Sequence, residues 1–121
     1  MATLFVGIGG LLGVLSRYGI SRATLHHEGL LWSTVAINVV GSFLLGLLVA
    51  SGWFSRDVRE GIGVGFLGGF TTFSTFSVQI VMEADAGETG TAGSYLIASL
   101  VGGLAAATAG YVLGRRLASY S

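Results

Sequence analysis

The sequence predicts an all-α integral membrane protein with four transmembrane helices, the third of which is interrupted near its middle. Of the 121 residues, 52% are hydrophobic and 10% are charged, whereas a soluble domain has about 25% charged residues. The charge-free runs 29–55 and 61–82 are each long enough to cross a bilayer. The chain is too short for two domains, so residues 1–121 are expected to form a single four-helix transmembrane domain.

The four spans are predicted at about residues 3–22, 30–53, 61–82 and 92–114. The first contains Arg17, which either snorkels to the membrane interface or faces a wet cavity. Trp32 and Trp53 are placed as interfacial aromatic residues near the ends of the second. The loops are too short to hold an extramembrane active site, and no general base lies within the spans. We therefore predict that the protein is not an enzyme.

The third span has five glycines within residues 61–69, followed by alternating hydroxyl and phenyl groups within residues 71–77. Glycine lowers helix stability, and Ser and Thr side chains compete for backbone hydrogen bonds. Non-helical backbone at membrane depth survives only where protein or water covers it. We therefore expect a break in this helix, with the freed carbonyls and amides available for binding.

Polar side chains are rare within the other spans, and Asn38 is the most informative of them. It lies near the centre of the second span, where an unsatisfied amide would cost several kcal/mol. Asn38 is either a clamp that bonds to a backbone carbonyl of another helix or a donor that lines an anion path. Thr34 lies four residues before Asn38, and Tyr95 and Ser99 are four apart in the fourth span, so each pair shares one helix face.

Charge gives little information about partners. Formal net charge is zero and there is no cysteine, so neither a basic nucleic-acid surface nor a thiolate metal site is expected.

The distribution of arginines gives a weak prediction of orientation. Four arginines lie on the side of the two termini and two on the opposite side, which favours cytoplasmic termini but is weak enough to allow insertion in both orientations. The four are Arg56, Arg59, Arg115 and Arg116; on the other side lie Arg17 and Arg22, with an acidic loop of Glu83, Asp85 and Glu88.

Small residues predict how the helices pack. They form smooth faces on which helix backbones approach closely, and part of this surface is expected to serve a homo-oligomeric interface. These positions include Gly9, Gly10, Gly13, Gly41, Gly46, Gly102, Gly103 and Gly110.

The predicted break combines two kinds of ion chemistry. Phe73 and Phe76 are three residues apart, and ring edges carry partial positive charge that favours a small anion. Packing or lipid contact is the alternative role for these rings. Freed carbonyls near residues 68–71 are ligands for a hard cation, and two chains meeting across a two-fold axis would supply four oxygens to one Na⁺.

Three motifs resemble the CrcB/Fluc family of small fluoride-specific ion channels. They are GGLLGVLSRY at 9–18, NVVGSF at 38–43 and GFLGGFTTFSTF at 65–76. The third is highly specific, and the resemblance extends over all four spans. It implies an antiparallel, dual-topology homodimer in the cell membrane that exports fluoride passively.

The resemblance also implies roles for individual residues. A structural Na⁺, which is not transported, would be held by the backbone carbonyls of Gly68 and Thr71. The fluoride pathway would include Asn38, Phe73 and Phe76. Thr34, Tyr95 and Ser99 would extend its polar track, and Arg17 would be the vestibule arginine. A serine found one turn further on in some relatives would fall at Gly103, and some relatives form heterodimers of two fixed-orientation subunits.

Two other classes of protein compete with this interpretation. A small multidrug transporter is also a four-span, dual-topology dimer, but it needs a carboxylate within the membrane. All six acidic residues of this chain lie at or beyond the predicted span ends. A purely structural membrane-assembly subunit would need the glycines, but it would not account for TTFSTF together with Asn38.

Overall fold

A computed structural model describes residues 1–23 and 27–119, without the side chains of residues 27–31, 74 and 75. Every regular element in this part of the chain is helical. The helices are α1 (Ala2–Ala23), α2 (His27–Ser51), α3 (Arg56–Glu60), a π-helical segment (Gly61–Leu67), α4 (Gly68–Phe70), α5 (Ser74–Asp85) and α6 (Thr89–Ser119).

Three helical stretches are long and apolar enough to cross a membrane: α1, residues Trp32–Ser51 of α2, and α6. The predicted all-α membrane class is therefore confirmed, and the chain is a multi-pass membrane protein. The predicted third span corresponds to several shorter helices in series. That these together form a fourth crossing remains a prediction.

The glycine-rich part of the third segment changes helix type before it leaves helical conformation. Gly61, Gly63 and Gly65 are buried in the π-helical segment, whose wider turns follow directly on α3. After α4, Thr71 is extended, with φ −82° and ψ 157°. Residues 71–73, which we call the break, separate α4 from α5.

Glycines bring the helices together in pairs, as their positions in the sequence predict. A Cβ at Gly13 in α1 would collide with the backbone of Phe66 and Phe70, and one at Gly110 in α6 with the backbone of Phe43 in α2. Similar contacts at Gly9 and Gly46 confirm the tight packing expected of these residues. α1 therefore packs on the π-helical segment and α4, while α2 packs along α6.

Two of the three acidic residues expected in a loop lie in α5 instead, and Asp85 is its last residue. Glu83 was expected in an acidic loop, but it lies in the last turns of α5 and is only 3% exposed. The helix continues for three residues beyond the charge-free run 61–82, so Glu83 is a helical residue whose side chain is buried. Its backbone carbonyl accepts a hydrogen bond from the amide of Glu88 at 3.0 Å.

Candidate functional site

A cavity of about 290 Å³ lies beside the break. Elements distant in sequence form it: the middle of α2, the π-helical segment with α4 and the start of α5, and the middle of α6. Six of the nine predicted site residues line it, namely Asn38, Gly68, Thr71, Phe73, Phe76 and Ser99. Most of the remaining lining is apolar, so the few polar atoms determine what the cavity binds.

Asn38 holds the break through both ends of its amide. Nδ2 donates to the carbonyl of Thr72 at 2.9 Å, and the Thr72 amide donates to Oδ1 at 2.8 Å. Asn38 is thus a clamp between α2 and the break, the first of the two roles considered for it. Because it also lines the cavity, the second N–H of Nδ2 is the group that an anion-path role would use.

Two further side chains bond to carbonyls in the last helical turn before the break. Nε of Arg17 donates to the carbonyl of Gly69 at 3.1 Å from a partly buried position. The amide and the hydroxyl of Thr71 both donate to the carbonyl of Leu67, each at 2.9 Å. A cation at the end of a helix interacts favourably with its exposed carbonyls, so Arg17 stabilises the end of α4.

Phe73 and Phe76 are neighbours but differ sharply in exposure. Their ring centroids are 6.2 Å apart, with the ring planes at 47°. Phe76 is 5% exposed, whereas Phe73 is 77% exposed on the isolated chain. Phe73 lies at the end of the break, before α5 begins, which is why helical spacing alone did not predict the exposure of its ring.

Ser99 lines the cavity, and its hydroxyl differs from the other polar groups there in its hydrogen bonding. Its Oγ is buried, and it has no hydrogen-bond partner within the part of the chain that the structure describes. Serines in membrane helices usually bond to their own helix, as Ser16 does to the carbonyl of Leu12. A buried hydroxyl without a partner is costly, so Ser99 is the clearest candidate for a ligand contact.

Comparison with known proteins gives the family. Residues 4–111 match the family described as "CrcB-like protein, Camphor Resistance (CrcB)". The chain belongs to the CrcB-like family. The resemblance stated from the sequence motifs is thereby confirmed.

Several relatives cover nearly the whole of this CrcB-like chain. "Fluoride-specific ion channel FluC" of Sphingopyxis alaskensis is 42% identical, over 97% of this chain and 98% of its own length. A protein of the same name from Agrobacterium fabrum is 42% identical over 93% and 94%. "Fluoride-specific ion channel FluC 1" of Bacillus cereus is 41% identical over 92% and 81%.

Tyr95 and Thr34 lie beside the cavity of the CrcB-like chain, and neither lines it. Tyr95 is 1% exposed, its ring centroid is 5.0 Å from that of Phe76, and its hydroxyl donates to Oε1 of Gln79 at 2.8 Å. Thr34, 2% exposed, also bonds to Tyr95. These contacts make Tyr95 a support behind the buried ring of Phe76.

Gln79 is the residue at this site that sequence reasoning missed. It lies three residues after Phe76 on α5, and its amide fixes the hydroxyl of Tyr95 on α6. A signal was present, since Gln79 is the one amide side chain within the charge-free run 61–82. A long polar side chain in such a run needs a partner on a neighbouring helix.

Proposed function

We propose that this chain forms a fluoride-specific channel that lowers cytoplasmic fluoride by passive export across the cell membrane. Membership of the CrcB-like family and the names of its relatives support this function. One observation in the structure carries the proposal: the cavity at the break combines the Asn38 amide, the buried Ser99 hydroxyl and the ring of Phe76. These groups suit a small anion that must give up bound water.

Fluoride would be stabilised by donors and by ring edges. The second N–H of Asn38 and the hydroxyl of Ser99 are directional donors, and the edges of Phe73 and Phe76 add partial positive charge. Arg17 uses one of its five N–H donors on Gly69 and keeps its full charge, which raises the local concentration of anions. Pore width would exclude larger halides.

A structural Na⁺ is the second part of the proposal. The described residues contain no cluster of His, Cys, Asp or Glu side chains that could hold a metal ion. The oxygens that fit a hard cation at the break are backbone carbonyls, and we assign Gly68 and Thr71 as the ligands. Gly68 is exposed on the isolated chain, where a second copy could share the ion. The Na⁺ would hold the assembly together and would not be transported.

The functional unit would be an antiparallel, dual-topology homodimer in the lipid bilayer. On the isolated chain, Phe73 is 77% exposed and Gly68 is exposed as well, although both line the candidate cavity. A second copy that covered them would enclose the cavity and bring two more carbonyls to the Na⁺. Isologous contacts of this kind are the commonest way for soluble proteins to form homodimers, and the same symmetry applies here.

Fluoride efflux from liposomes, followed with a fluoride electrode, tests the function. We expect purified protein to release fluoride much faster than chloride. Phe76→Ile should lower the fluoride rate by at least about tenfold, which corresponds to about 1.4 kcal/mol of lost stabilisation in the barrier.

Phe54→Ile provides the matched control, because Phe54 lies outside the described helices and is 43% exposed. It should conduct like the unmodified chain. Unchanged efflux in Phe76→Ile would refute the aromatic part of the proposal. Liposomes with the unmodified protein that retain their fluoride would refute the function itself.

A further inference from the structure

We propose that Asn38 creates the cation site, through the single hydrogen bond that its Oδ1 accepts from the amide of Thr72. This bond acts on both carbonyls assigned to Na⁺, those of Gly68 and Thr71. Asn38 is then a positioning residue for the cation in addition to any contact with the anion. The inference rests on the sodium site of the proposed function.

The first effect is on the carbonyl of Gly68. In an α-helix, each amide donates to the carbonyl four residues earlier. The amide of Thr71 still does so, bonding to Leu67 at 2.9 Å. The next amide, that of Thr72, would be the donor for Gly68, but it donates to Asn38 at 2.8 Å. Asn38 therefore removes the helical donor of the Gly68 carbonyl, and among the described residues no other backbone amide replaces it, so that oxygen can bind a cation.

The second effect is on the carbonyl of Thr71. This carbonyl and the amide of Thr72 belong to the same peptide group, which is trans, since the described chain has no cis bond. In a trans peptide the C=O and N–H bonds point in opposite directions. Because the N–H points at Asn38, the carbonyl of Thr71 points away from α2. The hydrogen bond thus fixes the direction of the second ligand.

The carbonyl of Gly68 differs from those of its two neighbours in hydrogen bonding. The carbonyl of Leu67, one residue before, accepts two hydrogen bonds from Thr71. The carbonyl of Gly69, one residue after, accepts from Arg17. Donors from the protein therefore occupy the carbonyls on either side of Gly68. Three side chains, one from each of α1, α2 and the break, fix which oxygens remain for the ion.

The close approach of α2 to the break depends on a glycine. Gly41 lies one turn after Asn38, and a Cβ there would collide with the methyl group of Thr71. Because glycine has no Cβ, α2 comes near enough for Asn38 to bond to both the amide and the carbonyl of Thr72. The sequence places Asn38 and Gly41 three apart, on one face of α2.

The test measures Na⁺-dependent thermal stability, which does not require fluoride transport. Unfolding of purified full-length protein is followed by tryptophan fluorescence in NaCl and in the chloride of a large organic cation. A ligand that binds only the folded state raises the melting temperature. We expect the unmodified chain to melt several degrees higher in Na⁺, with a saturable dependence on its concentration.

Two variants at Asn38 separate the roles. In Asn38→Ala the Thr72 amide can return to Gly68, so the Na⁺-dependent shift should disappear, or need at least about tenfold more Na⁺. Asn38→Asp keeps an oxygen acceptor for that amide, so it should keep the shift, although its fluoride efflux falls because the amide donors are gone. Ser42→Ala, a cavity-lining change on the same helix, should leave the shift unaltered.

The possible results decide whether Asn38 positions the carbonyls that bind Na⁺. If Asn38→Ala keeps the normal Na⁺ shift while losing efflux, Asn38 serves only the anion and the inference is wrong. If Asn38→Ala does not fold, Asn38→Asp decides alone, and a folded Asn38→Asp without the shift overturns the inference. Absence of the shift in the unmodified chain would refute the sodium site itself. Efflux by the unmodified chain tests the channel function separately.

Discussion

At the scale of single residues, the site depends on a few polar groups, some of which are hydrogen-bonded within the protein and one of which is not. Both ends of the Asn38 side chain are hydrogen-bonded, and the Tyr95 hydroxyl is bonded to Gln79. Within the described residues, the buried Ser99 hydroxyl has no hydrogen-bond partner. A bonded group holds its neighbours in place, whereas a buried group without a partner costs free energy until a ligand binds. Stability and transport should therefore respond differently to substitution at these positions.

Ser99→Ala gives the clearest contrast of this kind. Removing a buried hydroxyl without a partner should leave the melting temperature unchanged or raise it slightly. Fluoride efflux should fall by at least about tenfold, because a donor to the anion is lost. Both are measured on the same preparation, by thermal unfolding and by liposome efflux.

Thr108→Ala on the same helix is the matched control, since that hydroxyl bonds to the carbonyl of Leu104 at 2.8 Å and is exposed. It should conduct normally. Normal efflux in Ser99→Ala would remove Ser99 from the fluoride pathway.

At the scale of elements, glycines decide how closely α1 approaches the third segment. A Cβ at Gly13 would collide with the backbone of Phe66 and Phe70, whereas one at Gly7 in the same helix meets nothing within 4 Å. Backbone atoms in two packed helices cannot move aside as a flexible side chain does. The two positions thus separate the packing requirement from the intrinsic effect of glycine on a helix.

Gly13→Ala should lower the unfolding free energy by about 1–3 kcal/mol through overpacking. Gly7→Ala should leave it unchanged or raise it by about 0.5–1 kcal/mol, because alanine is the better helix former. Chemical denaturation of each variant in the same detergent gives the comparison. Equal stability of the two variants would contradict the close approach of α1 to α4.

At the scale of the whole molecule, the proposed dimer requires both orientations in the membrane. Cytoplasmic loops are enriched in Lys and Arg, so a strong excess of arginine on one side would fix a single orientation. The excess in this chain is weak, and both orientations are therefore possible. Arg56 and Arg59 account for the whole excess of four over two. The loop that carries them is thus the sensitive point for topology.

The double substitution Arg56→Gln and Arg59→Gln should bring the two orientations closer to equal numbers. Reporters active on opposite sides of the membrane, fused to the C-terminus in parallel, measure the ratio. The unmodified chain should give both signals, with the cytoplasmic one larger. Asp57→Asn, between the two arginines, is the control and should change little, since acidic residues contribute little to topology. A single orientation in every case would contradict dual topology.

Much of the molecule was predicted from sequence because the relevant properties are local. Low charge and long apolar runs determined the membrane class, and small residues at Gly9, Gly13 and Gly110 predicted where helices meet. Glycine and hydroxyl content also marked the region around residue 71 as the place where helical bonding fails. Each of these follows from hydrophobicity, chain length or backbone freedom within a few turns.

Tertiary structure decided which groups meet, because the decisive bonds join distant parts of the chain. Asn38 and Thr72 are 34 positions apart, and Arg17 and Gly69 are 52 apart. The sequence left Asn38 as either a clamp or a donor, and only the packing of α2 against the break made it a clamp. The packing of α5 against α6 brought Gln79 to Tyr95, and Glu83 near the end of α5 is buried. Sequence alone therefore determined the membrane class and the glycines at which helices meet, because hydrophobicity and residue size are local properties. Long-range contacts determined which polar groups of α1 and α2 bond to the backbone of residues 69–72.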